Sequence, residues 1–256
     1  WQYAGLDSRE GVGTVKIIDA HNHIGDRRGR KGQTAEEIIA KMDASAIDQA
    51  VVFSYVPYPN NDYISEAVKK YPDRLIGFAI LDHTQEHPEK ELERSVLELG
   101  LKGLKLDTPT HGFSIDDFAV TGRTLEIADR YHLPVICYCG DNNYVHPYKF
   151  VEAAKRYPNA NFIMAHAGIL FMTSHAIEVC AENSNCYIEI SNINACVIND
   201  AKNKGVLSQV LFGTDTPFNY FDVMKSCVEC ALTDEKEKAL IYHQNFERIM
   251  SQTQIR

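Results

Sequence analysis

Two histidines, separated by one residue, follow an apolar segment near the start of the 256-residue chain, in Ile17-Ile-Asp-Ala-His21-Asn-His23-Ile-Gly25. Residues two apart on a strand project to the same face, so His21 and His23 would present two imidazoles side by side. Imidazole is a common ligand of transition metals such as Zn, Fe and Ni. The spacing predicts two ligands of one divalent metal. Two loop histidines without a ligand role are the alternative.

Two later apolar segments also end in a residue that can bind a metal. Ile163-Met-Ala-His166 ends in a histidine, and Val210-Leu-Phe-Gly-Thr-Asp215 ends in an aspartate. Taken singly, His166 could be a hydrogen-bonded core histidine and Asp215 a helix N-cap. In barrel enzymes, however, catalytic residues come from the C-terminal ends of several strands. Four such residues at matching positions therefore favour a site.

Short apolar segments rich in β-branched residues alternate with segments of helical period along the chain. Eight strands are predicted: Lys16–Ala20, Ala50–Tyr55, Leu75–Leu81, Gly103–Asp107, Pro134–Cys139, Asn161–His166, Tyr187–Ser191 and Gln209–Gly213. Several are almost continuously apolar, as parallel strands covered on both faces are. The alternation predicts an α/β fold, a (β/α)8 TIM barrel, and an open doubly wound sheet is the alternative.

The segments between the strands predict helices. Thr34-Ala-Glu-Glu37 has the pattern of a capping box at a helix N-terminus. Further helices are predicted at about 62–71, 86–99, 116–131, 146–157, 174–183 and 220–231, and the connection after Ser191 is less regular. No linker divides the chain. We expect one domain over residues 1–256, with an N-terminal extension at 1–14 and terminal helices at 232–256.

Composition and charge argue against several classes of partner. The net charge is −9, and nucleic-acid binding usually needs a basic surface. The one basic cluster, Arg27, Arg28, Arg30 and Lys31, is interpreted as a solvated loop or a local anion site. No apolar stretch approaches the roughly 20 residues that span a bilayer. We therefore expect neither a nucleic acid nor a membrane as a partner.

Seven cysteines are scattered along the chain without the spacing of a disulfide framework. Six of them lie in or beside apolar segments, where buried reduced thiols are common: Cys137, Cys180, Cys186, Cys196, Cys227 and Cys230. This usage predicts a reducing compartment, the cytoplasm.

Taken together, these motifs resemble the amidohydrolase-related family of metal-dependent hydrolases and decarboxylases over nearly the whole chain. The resemblance rests on Asp19-Ala-His-Asn-His23, Gly103-Leu-Lys-Leu106, Leu133-Pro-Val135, Ala165-His-Ala-Gly168, Leu211-Phe-Gly-Thr-Asp-Thr-Pro-Phe218 and Asn245-Phe-Glu-Arg-Ile249. It implies a (β/α)8 barrel with one or two metals, and His21 and His23 as ligands. It further implies that Asp215 binds metal and handles a proton. His166 is a ligand in some members and a substrate-facing electrophile in others.

The chain departs from the family pattern at the end of the fifth strand. Relatives usually carry a metal-binding histidine there, whereas Pro134-Val-Ile-Cys-Tyr138-Cys-Gly140 places Tyr138 at that position. Tyr138 could bind the metal, hydrogen-bond substrate or a bound water, or mark a weakened or lost site; we favour the second. Alternation predicts that Cys137 and Cys139 face away from Tyr138, and a shift of register would instead offer a thiolate ligand.

Residues after the strands supply candidates for substrate binding. Binuclear relatives carry a carboxylated lysine where Lys105 lies, but Lys105 could equally be salt-bridged within the barrel, and we expect one metal. Asp107 also follows the fourth strand. Loops at this end of a barrel shape substrate preference. The predicted substrate-binding residues are Lys105, His111, Asn143 and Asn192.

The leading functional hypothesis is hydrolysis of an amide, lactone or ester bond in a small molecule. A metal-bound water would attack the carbonyl carbon, Asp215 would take and return its proton, and His166 or Tyr138 would polarise the carbonyl. The expected cofactor is one divalent transition metal, with zinc first and manganese, iron or cobalt as alternatives. A non-oxidative decarboxylase or hydratase of a small aromatic or unsaturated carboxylate is the first alternative. A catalytically inactive ligand-binding barrel is the second, and the resemblance makes a homodimer plausible.

Overall fold

The computed structural model describes residues 15–27, 31–56, 59–169 and 171–255. The extension expected at residues 1–14 lies outside the described residues. The chain forms a single-domain (β/α)8 barrel, so the predicted fold is confirmed. The strand segments are β1 (Ile18–His23), β2 (Gln49–Phe53), β3 (Leu75–Gly77), β4 (Ala79–Ile80), β5 (Leu104–Leu106), β6 (Pro134–Tyr138), β7 (Asn161–Ala165), β8 (Cys186–Glu189) and β9 (Val210–Leu211).

The nine segments correspond to the eight predicted strands, because β3 and β4 together form the third. The break falls at Phe78, whose N–H donates to the Val52 carbonyl at 3.0 Å. The next N–H, of Ala79, donates to the Gly103 carbonyl at 2.8 Å. The strand therefore changes partner at this point. β1 to β3 and β4 to β9 are paired in parallel in chain order.

Helices follow the strands as the periodicity predicts. They are α1 (Ala35–Ala44), α2 (Asn61–Lys70), α3 (Pro88–Leu97), α4 (Thr108–His111), α5 (Phe118–Arg130), α6 (Lys149–Arg156), α7 (Thr173–Glu182), α8 (Ala195–Asn203), α9 (Phe221–Ala231), α10 (Glu235–Ala239) and α11 (Asn245–Gln252). Thr34 and Glu37 form the expected capping box. The sequence did not predict α4 and left α8 undefined. Among the described residues, no helix has the length and apolarity to cross a membrane.

Alternation along the strands divides the core into two layers. One cluster fills the barrel and includes Ile136 of β6, and a larger cluster that includes Val135, Cys137 and Cys139 lies between the strands and the helices. Burial raises the pKa of the Cys137 thiol to about 12. The structure thus packs Cys137 and Cys139 away from the barrel interior, and the thiolate-ligand alternative has no support. All seven cysteines are free, and Cys196 and Cys230, expected to be buried, are exposed.

The barrel closes where the first strand meets the segment that follows β9. Ala20 N–H donates to the Phe212 carbonyl at 2.9 Å, and Asp215 N–H donates to the His21 carbonyl at 2.8 Å. A buried side-chain contact reinforces the seam, because the Thr214 hydroxyl lies 2.6 Å from an Asp19 carboxylate oxygen. The first strand and residue 215 are therefore fixed relative to each other.

A buried side-chain amide at the start of the last helix, α11, ties that helix to the rest of the fold. Removal of this amide should destabilise the fold. Asn245 is fully buried, and its amide donates to the Leu207 and Val210 carbonyls at 2.9 and 2.8 Å. An unsatisfied buried polar group costs about 1–3 kcal/mol. Asn245→Ala should therefore lower the free energy of unfolding by about 1–3 kcal/mol in urea denaturation. The control Asn203→Ala, at an exposed position, should change it by less than about 0.5 kcal/mol. Equal effects of the two variants would contradict this assignment.

Candidate metal centre

A cavity of about 300 Å³ opens at the C-terminal ends of the strands. Its lining combines potential metal ligands, cations and aromatic rings: His21, His23, Arg27, Tyr55, Lys105, Asp107, Thr110, Tyr138, His166, Asp215 and Phe218. This end of a barrel is where active sites are built. The four residues that the sequence predicted as metal ligands all face this cavity.

His21 and His23 lie inside β1, whereas the sequence analysis placed them just after the strand. The pairing of β1 with β2 shifts register between Asp19 and Asn22. The two imidazole rings have centroids 5.6 Å apart, and both face Asp215. The same Asp215 oxygen, Oδ1, lies 3.4 Å from Nε2 of each histidine.

These separations fit a metal ion. Protein ligands lie about 2.0–2.2 Å from zinc, so two ligands at neighbouring corners of a tetrahedron are about 3.4 Å apart. The distances from Asp215 to His21 and to His23 have this value before any ion is added. Two imidazole nitrogens and a carboxylate oxygen also form a donor set that suits divalent transition metals. The three side chains could therefore hold such an ion.

The orientation of His23 is set by the backbone of the next strand. Its Nδ1 lies 3.2 Å from the Ser54 carbonyl oxygen, which can only accept a hydrogen bond. In the neutral ring, Nδ1 therefore carries the proton and Nε2 has a lone pair that faces the cavity. A metal requires that lone pair, since the ligand must be the unprotonated nitrogen.

Three residues around the site have left-handed backbone conformations that are uncommon outside glycine. The φ angles are 64° at His166, 60° at Asn192 and 61° at Asp215. The Asn192 amide donates to Asp215 Oδ2 at 3.3 Å, so this predicted substrate-binding residue contacts a candidate ligand, and its contact with substrate stays a prediction. Strained backbone of this kind clusters at functional sites. Its concentration here supports a functional role for the cavity.

Burial and neighbouring charge set the protonation of the site. Burial raises the pKa of Asp215, but His21 and His23 outweigh it and hold that pKa well below its usual range. Burial and the nearby His21 lower the pKa of His166 to about 3. An ionised Asp215 and a neutral His166 are the states that bind metals.

Lys105 and Tyr138 occupy the walls beside this cluster. Lys105 Nζ lies 3.3 Å from His21 Nε2 and 5.0 Å from the centre of the Phe53 ring. Burial lowers the pKa of Lys105, and the nearby Asp107 and Asp215 carboxylates oppose that shift. The ring of Tyr138 is 5.0 Å from that of His166, and burial raises the pKa of its phenol. The predicted hydrogen bond from Tyr138 to substrate or to a bound water stays a prediction.

Two predicted substrate-binding residues lie away from the cavity. The His111 ring stacks on Phe113, and its Nε2 is 3.7 Å from an Asp82 carboxylate oxygen. His111 is the last residue of α4, and Thr110 lines the cavity in its place. Asn143 is exposed in the loop after β6. Neither His111 nor Asn143 is in the lining of this cavity, and their contact with substrate stays a prediction.

The sequence patterns did not single out Glu189, Ser191 or Phe218 as site residues. Glu189 is fully buried at the end of β8 and contacts His21, and Ser191 contacts His166. A single acidic residue between Ile188 and Ile190 was the available signal. Arg27, interpreted as part of a solvated loop or a local anion site, lines the cavity with its guanidinium 4.5 Å from the centre of the Phe218 ring. Arg28 and Arg30 lie outside the described residues.

Comparisons with known proteins agree with this architecture. A 58-residue segment is 38% identical to 2-amino-3-carboxymuconate-6-semialdehyde decarboxylase of Dictyostelium discoideum, covering 22% of this chain and 16% of that protein. An uncharacterized TIM-barrel protein from Bordetella bronchiseptica superposes with a TM-score of 0.77 at 18% identity, covering 93% of this chain and 99% of that one.

A second solved structure is a dihydroxybenzoic acid decarboxylase from a Polaromonas species, with bound manganese and the inhibitor 2-nitroresorcinol. It superposes with a TM-score of 0.75 at 18% identity, covering 92% of this chain and 97% of that one. At such identities the structural likeness shows the fold alone. The family model for amidohydrolases, however, matches residues 18–249. With its barrel and its histidine-aspartate cluster, the chain belongs to the amidohydrolase family.

Proposed function

We propose that the protein is a non-oxidative decarboxylase of a small aromatic or unsaturated carboxylic acid and uses one divalent transition metal. One observation carries the proposal: the cavity places the His21, His23 and Asp215 cluster beside cationic and aromatic side chains. Such a lining suits a flat anion. The decarboxylase names among the relatives support the same reaction class.

His21, His23 and Asp215 would hold the metal, and His166 remains a predicted fourth ligand. When bound, the metal would supply positive charge that orients the substrate and stabilises negative charge as carbon dioxide leaves. Zinc and manganese both suit this donor set, and the manganese in the Polaromonas enzyme supports testing both. We therefore propose zinc or manganese as the metal.

The walls of the cavity would bind and orient the substrate. The rings of Tyr55, Phe218 and Tyr138 offer apolar faces to a flat molecule. The Arg27 guanidinium, above the Phe218 ring, would attract a negative substituent at the mouth. Lys105, next to His21, would contact an oxygen of the substrate deeper in the cavity.

Asp215 would move the proton that the reaction needs. Loss of carbon dioxide breaks one C–C bond, and its electron pair must take up one proton to form the C–H bond of the product. Asp215 is ionised at rest, so it would collect this proton from a substrate hydroxyl or from water and deliver it to carbon. Asn192, bonded to Asp215 Oδ2, would hold the carboxylate in position.

Hydrolysis, which the sequence analysis placed first, would use the same ligand cluster, so the donor set alone does not separate the two reactions. The cationic and aromatic lining and the named relatives favour decarboxylation. The inactive-barrel alternative is disfavoured, because a non-catalytic barrel has no chemical need for a converging set of metal ligands.

Isotope incorporation should distinguish the two reactions. Protein supplied with Zn²⁺ or Mn²⁺ would be incubated with a panel of hydroxybenzoates in D₂O and with lactones and amides in H₂¹⁸O. We expect carbon dioxide release from at least one acid. The product should carry one deuterium at the carbon atom that bore the carboxyl group. Mass spectrometry would detect both products. Acid release with ¹⁸O from the second panel, and no carbon dioxide from the first, would show a hydrolase and overturn the proposal.

Replacement of the proposed proton carrier should slow turnover strongly. Asp215→Asn removes the group that accepts and delivers the proton, and such groups typically contribute about 10²–10⁴-fold to rate. We expect carbon dioxide release to fall by about that factor at saturating metal. The matched variant Asp222→Asn, at an exposed position in the first turn of α9, should retain activity. Unchanged turnover in Asp215→Asn would exclude this role.

A further inference from the structure

We propose that Glu189 and Ser191 are positioning residues that fix the tautomers of His21 and His166, so that both rings present Nε2 to the cavity. The inference rests on the proposed metal-dependent function, but its main test does not require turnover. Neither residue lines the cavity; Glu189 is the last residue of β8, and Ser191 follows two residues later. They would act only through the two histidines that they contact.

The first contact joins Glu189 to His21. Glu189 Oε2 lies 2.8 Å from His21 Nδ1, and both side chains are almost completely buried. The backbone N–H groups of Ser191 and His166 also donate to this carboxyl group. Two backbone N–H groups and the Ser191 hydroxyl point at the oxygens of this carboxyl group, so it acts as the acceptor and Nδ1 of His21 would carry the proton. Nε2 would then offer its lone pair towards Asp215, as metal binding requires.

The second contact passes through Ser191 to His166. The Ser191 hydroxyl oxygen lies 2.8 Å from Glu189 Oε2 and 2.7 Å from His166 Nδ1. A hydroxyl has one proton, and the carboxylate accepts it. The hydroxyl oxygen must therefore accept from His166 Nδ1–H, which leaves Nε2 of His166 unprotonated. One buried carboxylate thus orients two rings whose centroids are 5.0 Å apart.

Two neighbouring groups are consistent with this arrangement. The Asn192 amide nitrogen is 3.4 Å from His166 Nδ1, but it has an acceptor in Asp215 Oδ2 and need not bond to the ring. Gly213 leaves room for the carboxylate, since a Cβ atom there would lie 2.1 Å from Glu189 Oε1. A side chain at position 213 would therefore collide with the Glu189 carboxyl group.

His23 provides an internal control. Its Nδ1 faces the Ser54 carbonyl rather than Glu189, so its tautomer is set independently. A change at Glu189 should affect His21 and His166 and leave His23 as it is. A general disturbance of the fold would instead alter all three rings.

The direct test is the tautomeric state of each histidine in metal-free protein. Histidine labelled with ¹⁵N and treated with chelator would be studied by long-range ¹H–¹⁵N correlation, with assignment by single substitutions. We expect the Nδ1–H form for His21, His23 and His166. An Nε2–H form of either His21 or His166 in the wild-type protein would overturn the proposal without any variant being needed.

Glu189→Gln should weaken metal binding. In this variant the side-chain carbonyl oxygen would accept the hydrogen bond from the Ser191 N–H. The amide NH₂ group would then donate an N–H towards His21 Nδ1. His21 would then shift towards the Nε2–H form, in which a proton occupies the nitrogen that would bind the metal. We expect the affinity for Zn²⁺, measured against a chromophoric chelator, to fall about 10- to 100-fold. Wild-type affinity with an unchanged His21 tautomer would refute the role of Glu189.

Ser191→Ala should affect the tautomer of His166 but not that of His21. It retains the bond between Glu189 and His21, so Zn²⁺ affinity should stay within about threefold, while His166 becomes a mixture of tautomers. Ser184→Ala, at an exposed position, is the matched control and should change neither property. An unchanged His166 tautomer in Ser191→Ala would exclude the proposed role of Ser191. If no substrate is turned over by the wild-type protein, the proposed function fails, but both readouts still test this inference.

Discussion

The candidate site depends on the seam between the first strand and the segment after β9. Hydrogen bonds from Ala20 to Phe212 and from Asp215 to His21 fix the two ends of the sheet at one register. The buried contact between Thr214 and Asp19 adds a side-chain link at the same place. Because His21 and Asp215 belong to opposite sides of this seam, closure of the barrel is what brings the imidazoles to the carboxylate.

The seam also explains why the site is organised around β1, β8 and the segment after β9. Glu189 lies at the end of β8, next to that segment, and reaches His21 across the barrel end. The glycine at position 213 gives its carboxylate space. Tyr138, at the end of β6, contributes a phenol to the wall, and burial raises the pKa of that phenol. The ligand atoms of His21, His23 and Asp215 lie within 4.8 Å of one another without a histidine at position 138.

Periodicity predicted the fold and the general location of the site. The barrel follows from alternating strand and helix patterns, and the four candidate ligands follow from their positions at strand ends. What the sequence could not predict was which residue of a loop faces the cavity. His111 and Thr110 are neighbours in α4, and only the structure shows that Thr110 lines the cavity. Glu189 was missed because a buried acidic residue within a strand has no periodic signal.

The central claim is that His21, His23 and Asp215 bind one divalent transition metal. Its most direct test is plasma mass spectrometry of untagged protein purified without chelators, beside the variant carrying both His21→Ala and His23→Ala. The account predicts about one transition metal per wild-type chain and its loss from the variant. Little metal in both proteins, even after reconstitution with Zn²⁺ or Mn²⁺, would contradict the claim.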